Sequence, residues 1–185
     1  EAMGGNAIAI FDSDVCLSET APSLLNSTMN NELAFTFGDY FSDINLLSFS
    51  YARNFKELGT IGVSLKAINY GEFYRNDAAG YNQGTFSAND QVLTFGVGKK
   101  LQDRLSLGLS FSLLNSTYDT YTSFALSSNI SSTYYNEEKK LTTTLLFKNI
   151  GRQLDTYASE IEKLPFEVQF GISKELRYLP FRYHL

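Results

Sequence analysis

Side chains of opposite character alternate along most of this chain with a period of two, the spacing that puts successive residues on opposite faces of a β-strand. In residues 105–113, Leu105, Leu107, Leu109, Phe111 and Leu113 share one face, and Ser106, Gly108, Ser110 and Ser112 share the other. Ile61, Val63 and Leu65 oppose Thr60, Gly62, Ser64 and Lys66 in the same way, and Leu93, Phe95 and Val97 oppose Thr94, Gly96 and Gly98. The split recurs around Phe124, Leu126, Ile130 and Tyr134, around Leu141, Leu145 and Phe147, and around Phe166, Val168, Phe170 and Ile172. With residues 33–37, 47–51 and a last segment near Phe181, the pattern predicts about nine strands of roughly 8 to 12 residues.

The connections are expected to alternate in length. Residues 54–58, 101–103, 136–139 and 176–180 read as short polar turns, whereas 71–90, 115–121 and 149–165 read as long connections, with 38–43 a shorter member of that set. An up-and-down antiparallel meander with one short-turn rim and one long-loop rim has this organisation, and outer-membrane barrels are built so. Residues 1–30 lack clean alternation and read as a folded lead-in, leaving 31–185 as a single unit of barrel strands.

The character of the non-apolar face separates a soluble barrel from a membrane barrel. A soluble barrel needs a charged outer surface, at ~25 to 35% Lys, Arg, Glu and Asp. Here that face is mostly Ser, Thr, Gly and Asn, and charges such as Lys56, Glu57, Asp103, Arg104, Glu137 and Glu138 gather in the turns. Small hydroxylated residues suit a crowded or water-filled lumen, and a Leu, Ile, Val and Phe face suits acyl chains. The expected fold is therefore all-β, an up-and-down antiparallel transmembrane β-barrel. No apolar run is long enough for a membrane-spanning helix.

Composition narrows the function. The 185 residues include 12 Tyr and 15 Phe but no Trp, and the net charge is -5 without a Lys/Arg cluster, so a nucleic-acid partner is not expected. Enzymatic signals are lacking. The single histidine, His184, is penultimate, and the single cysteine, Cys16, has no neighbouring base, so catalytic residues are expected to be none. Asp12 with Asp14, and Asp39 with Asp43, lack the spacing of a calcium loop and read as turn carboxylates, so neither a metal nor a cofactor is expected. The Asn-x-Ser/Thr triplets at Asn26, Asn115 and Asn129 are ordinary in a chain so rich in Ser, Thr and Asn. Aromatics and Arg dominate binding hot spots, which makes Tyr70, Phe73, Tyr74, Arg75, Tyr81 and Phe86 the candidate partner-binding residues. An interfacial aromatic belt is the competing reading of the same residues.

Two stretches carry a family resemblance. Gly4-Gly5-Asn6-Ala7-Ile8-Ala9, then Asp12-Ser13-Asp14, then Ala21-Pro22-Ser23-Leu24-Leu25-Asn26 resembles the N-terminal hatch of FadL-like outer-membrane proteins, where a GG-x-A-[IV]-A stretch precedes an acidic turn and Asn-Pro-Ala-x-Leu. Gly4, Gly5, Asn6, Asp12, Asp14 and Pro22 are the hatch residues so implied, although Ala21-Pro22-Ser23 stands where the motif has Asn-Pro-Ala. The run 68–73, with Gly80, residues 84–90, 164–166, 171–174 and 179–182, is similar to PorQ-like proteins of the type IX secretion system, within the PorV/FadL-like barrel family. The resemblance implies a bacterial outer membrane of the Bacteroidota with its lipid and lipopolysaccharide, and a barrel of about 14 strands. This chain would then be an incomplete portion, lacking a leader and several C-terminal strands. It implies a non-enzymatic role in protein transport, anchoring a PorZ-like surface protein in the cargo attachment complex with PorV and PorU. A FadL-like channel for hydrophobic small molecules is the alternative, and a soluble barrel binding a lipophilic ligand is a third.

Overall fold

The structure is a computed structural model that describes residues 7–157, 163–176 and 181–185. It is all-β apart from three short 3-10 turns. Nine strands form one antiparallel up-and-down sheet: β1 (Glu32–Asp39), β2 (Asn45–Phe55), β3 (Gly59–Asn76), β4 (Asn82–Gln102), β5 (Leu105–Tyr118), β6 (Tyr121–Asn136), β7 (Leu141–Asp155), β8 (Glu167–Glu175) and β9 (Arg182–His184). Their spatial order is their chain order, β1 to β9. The 3-10 turns Val15–Glu19, Pro22–Leu24 and Ser27–Met29 all lie in the lead-in. Pro22 supplies a preset φ at the start of the second, and the Asn26 side chain caps the third by accepting from the Thr28 backbone N–H at 2.9 Å.

The polarity of this sheet is inverted relative to a water-soluble protein. Ser50, Thr60, Ser110, Ser131, Thr133, Thr144 and Ser173 are buried, whereas Phe35, Phe37, Phe95, Phe111, Phe147 and Phe170 are exposed. Apart from Ala52, Ala88, Ala125 and Leu146, every buried apolar residue among those described belongs to the lead-in. The lead-in therefore brings its own apolar groups to a polar sheet face. Leu24, Ala21 and Ile8 gather with Leu146, while Val15, Leu25 and Met29 gather with Ala52.

Close approach of the two backbones explains glycines that strand propensity would not select. A Cβ on Gly108 would fall 2.1 Å from the Ser23 nitrogen, and one on Gly98 would fall 2.7 Å from the carbonyl oxygens of Pro22 and Leu25. With the backbones so near, hydroxyls satisfy the buried polar groups. The Ser23 amide donates to Ser131 Oγ at 2.8 Å, and a hydroxyl chain runs from Ser23 through Thr133 to Thr144 at 2.7 and 2.8 Å.

The sheet curls around this segment. A cavity of only about 260 Å³ is lined by residues from β3 through β8, including Lys66, Thr94, Ser112, Asn129, Lys148 and Gln169. Laid flat at ~4.8 Å per strand, those six strands would span about 24 Å. Curling brings the six strands toward one space.

Three expectations are corrected. The segments read as long connections are mostly paired strand: β3 and β4 consume residues 71–90 except for the tip 77–81, β5 and β6 meet at a two-residue turn, 119–120, and β7 runs on to Asp155. In 71–90 and 115–121 the added length is thus strand with a short turn at the tip, and residues 158–162 of the expected connection 149–165 lie outside the described residues. Strand lengths range from 3 residues in β9 to 21 in β4, wider than anticipated. The reason is physical. Alternation records a difference between faces, and where both faces are wet the ladder continues without it. Register irregularities between Asn69 and Glu72, and between Ser128 and Ile130, break the count of two as well.

Candidate functional site

Beyond the sheet, β3 and β4 pair only with each other. The last register pairs to flanking strands are Asn45 with Asn69 on one side and Ala88 with Tyr118 on the other, and Glu72 to Ser87 through Asn76 to Asn82 form a projecting hairpin, tied at its base by the Asp119 amide donating to the Ser87 carbonyl at 3.0 Å. At ~3.4 Å per residue, the arm 72–76 projects roughly 17 Å. Gly71 seats its base: φ is +79°, and a Cβ there would meet Asp43 Cβ at 3.1 Å and the Ser42 carbonyl at 3.3 Å. The Asn69 side chain accepts from the Gly71 amide at 2.8 Å, which holds the irregular residue in place.

Three of the six residues expected to bind a partner, Phe73, Arg75 and Phe86, are brought into one connected group, and Tyr70 sits in a separate cluster with Asp90. Phe73 stacks on Phe86 with centroids 5.4 Å apart, and Phe86 meets Tyr118 edge-on at 5.2 Å. Arg75 lies over Phe86, 5.9 Å from the centroid, and is held from the other side by an ion pair with Asp119. The Tyr70 hydroxyl donates to Asp90 Oδ2 at 2.7 Å, and Ser116 donates to the other carboxylate oxygen. Tyr74 and Tyr81 stand apart from this group, 74% and 71% exposed. The tip itself is built on Asp77, whose Oδ1 accepts from the amides of Tyr81 and Ala79, each at 2.9 Å. Those backbone donors, Tyr81 foremost, hold its carboxyl below the usual carboxylate range.

Below the hairpin, a cavity of about 400 Å³ is lined by Tyr70, Ala88, Asp90, Ser116, Thr117, Tyr118, Tyr121 and Tyr157. Tyr118, Tyr121 and Tyr157 were not singled out from the sequence. They sit in stretches that read as connections, and their only signal was aromatic content next to polar residues.

The hatch residues named from the resemblance divide three ways. Gly4, Gly5 and Asn6 lie outside the described residues. Asp12 and Asp14 act locally: Asp12 accepts from the Ser13 amide at 2.8 Å, and Asp14 from the Cys16 amide at 2.9 Å. Pro22 is buried against Gly98 and Gly108. The polar anchor of the lead-in is a residue that escaped notice, Glu19. It accepts from Ser48 and Ser50 at 3.0 and 2.6 Å and pairs with Lys66 at 2.9 Å. Burial alone would raise its pKa, but hydrogen bonds from Ser50 and Lys66 together bring it below the usual value. Cys16 goes the other way, its thiol pushed up to about 11 by burial and by Asp14, which leaves it a poor nucleophile at neutral pH.

Among the described residues no three His, Cys, Asp or Glu side chains gather as a metal site requires, and no helix is long and apolar enough to cross a membrane. A third cavity, about 730 Å³, opens on the short-turn rim between the lead-in and the sheet and is lined by Lys56, Lys99, Lys100, Arg104, Glu137 and Glu138 together with Phe11, Leu25, Phe55 and Tyr135. No family model matches this sequence, and no curated protein matches it.

Proposed function

We propose that this chain belongs to an outer-membrane β-barrel protein with no catalytic step of its own, which anchors a surface partner through the rim that carries the projecting hairpin. The observation behind it is the inverted polarity. A sheet that exposes Phe35, Phe95, Phe111 and Phe170 while burying serines and threonines suits hydrocarbon outside and a plugged lumen inside. The nine strands would be part of a larger ring completed by further strands, since lipid leaves no unpaired strand edge satisfied.

In this reading residues 7–30 act as the hatch, and the hairpin is the only element of the described residues that projects far beyond its neighbours. Membership in a type IX secretion complex, with a PorZ-like partner, rests on the sequence resemblance. Transport of hydrophobic small molecules draws less support, because the cavities on either side of the lead-in carry Lys66, Glu19 and Lys148 on one side and four basic residues on the other.

The experiment is capture from outer membranes in mild detergent, with and without residues 77–81 replaced by a two-residue turn. Loss of a surface protein from the truncated form, with the barrel still heat-modifiable on gels, is the expected result. Retention of that protein by the truncated form, and its release when the lead-in is disturbed, would assign partner binding to the hatch side.

A further inference from the structure

We infer that the cavity beneath the hairpin is a binding site for a small organic ammonium ion. Tyr70, Tyr118, Tyr121 and Tyr157 bring four aromatic rings to one space, and among the described residues Asp90 is the single charged side chain that lines it. Among the described residues no lysine or arginine lines it, and the guanidinium of Arg75 on the hairpin is engaged by Asp119 and Phe86.

The chemistry of that combination is specific. Aromatic rings attract a cation through their quadrupole, and a carboxylate at the same site adds a full opposite charge. An anion would meet Asp90 with nothing to offset it. A neutral lipophile would gain from the rings but would leave the carboxylate desolvated. Asp90 is also held in position before any ligand arrives, since Tyr70 and Ser116 each donate to one of its oxygens. Its volume of about 400 Å³ lies within the ~300 to 1,000 Å³ range usual for ligand cavities. The site does not depend on the anchoring role, because it requires no partner protein.

The test is calorimetric titration of the purified protein in maltoside micelles, which carry no ammonium headgroup. The probes are choline, its neutral carbon isostere 3,3-dimethylbutanol, and N-acetyl-lysine amide. Choline is expected to bind at one site, with the isostere at least about fivefold weaker. Asp90→Asn and Tyr121→Ala should each weaken choline by a similar factor, and Tyr121→Phe should restore it, with the thermal transition of each variant reporting that the sheet remains folded. Equal binding of choline and the isostere would overturn the assignment in favour of a merely apolar cavity. Absence of choline binding at tens of millimolar would overturn it outright. Tighter binding of the lysine amide than of choline would overturn the small-ion occupant and assign the cavity to a lysine side chain.

Discussion

The middle of the sheet and the projecting hairpin are built from the same backbone ladder, yet their side chains obey different rules. In the middle, around residues 105–113, every position is claimed by one of two environments. Phe111 faces outward and is exposed, and its neighbours Ser110 and Ser112 face inward and are buried. In the hairpin, from Glu72 to Ser87, nearly every residue is exposed on either face, and the residue types cease to alternate. Pairing nonetheless continues, Phe73 opposite Phe86 and Tyr74 opposite Thr85. Side-chain alternation is therefore a record of two unequal surroundings, and hydrogen-bonded pairing does not need it.

The largest effect that would test this contrast is a charge on the outward face. Phe111→Arg should cost about 2 to 4 kcal/mol in lipid vesicles if it lies near the bilayer midplane, whereas Tyr74→Arg on the hairpin should stay within about 0.5 kcal/mol. Equal tolerance, measured as shifts in the urea midpoint of folding into vesicles, would remove the case for lipid around the sheet. Ser110→Arg is no mild control. Ser110 is 3% exposed and accepts from Asn129 Nδ2 at 3.2 Å, so its parity points into a filled interior.

Next in size are two glycine substitutions. Gly108→Ala drives a methyl group into the backbone at Ser23 and should cost about 1 to 3 kcal/mol, with the lead-in becoming sensitive to protease. Gly84→Ala meets open space but must hold a φ of +112°, so a loss of about 1 kcal/mol with an unchanged lead-in is expected. A protease-sensitive lead-in in both variants would erase the distinction between the two regions.

A pH effect is expected in the lead-in. The Glu19 pKa is lower in the folded protein than its ordinary 4.5. The stability it contributes is thus fully present above that value and is lost as pH falls through the depressed one. Protease access to residues 7–30 should rise in that acid range, and Glu19→Gln should flatten the dependence. An unchanged acid profile in Glu19→Gln would show that Glu19 is not the anchor. The smallest effect concerns Cys16. Its thiol, raised to about 11, should react with iodoacetamide at pH 8 far more slowly than an unfolded control, without change in stability on substitution by Ser.

The sheet was legible in the sequence wherever its two faces differ. Nine strands are observed, and their alternating faces in the middle of the sheet follow the pattern residue by residue. The ends were not legible, because Asn115, Ser116 and Thr117 are polar on both faces and look like a loop although they pair with Thr122, Ser123 and Phe124. The candidate site was legible in part for the same reason. Phe73, Arg75 and Phe86 announced themselves by residue type. Tyr118, Tyr121 and Tyr157 join the cavity only through the antiparallel turn at 119–120 and the return of β7, neither of which leaves a local signal.

Period-two alternation, scarce strand charges and abundant hydroxyls were enough to determine an antiparallel sheet with one apolar and one small polar face, because each strand must repeat the same two surroundings along its length. Which face is buried, and by what, was decided only in three dimensions. The glycines at 98 and 108 look like weak points in isolated strands and become contact points once Pro22, Ser23 and Leu25 press against them. Glu19 looks like an ordinary surface acid until the lead-in lies on the paired strands β2 and β3 and meets Ser48, Ser50 and Lys66 there. Both outcomes depend on the lead-in meeting strands far from it in the chain, and local sequence patterns carry no information about that meeting.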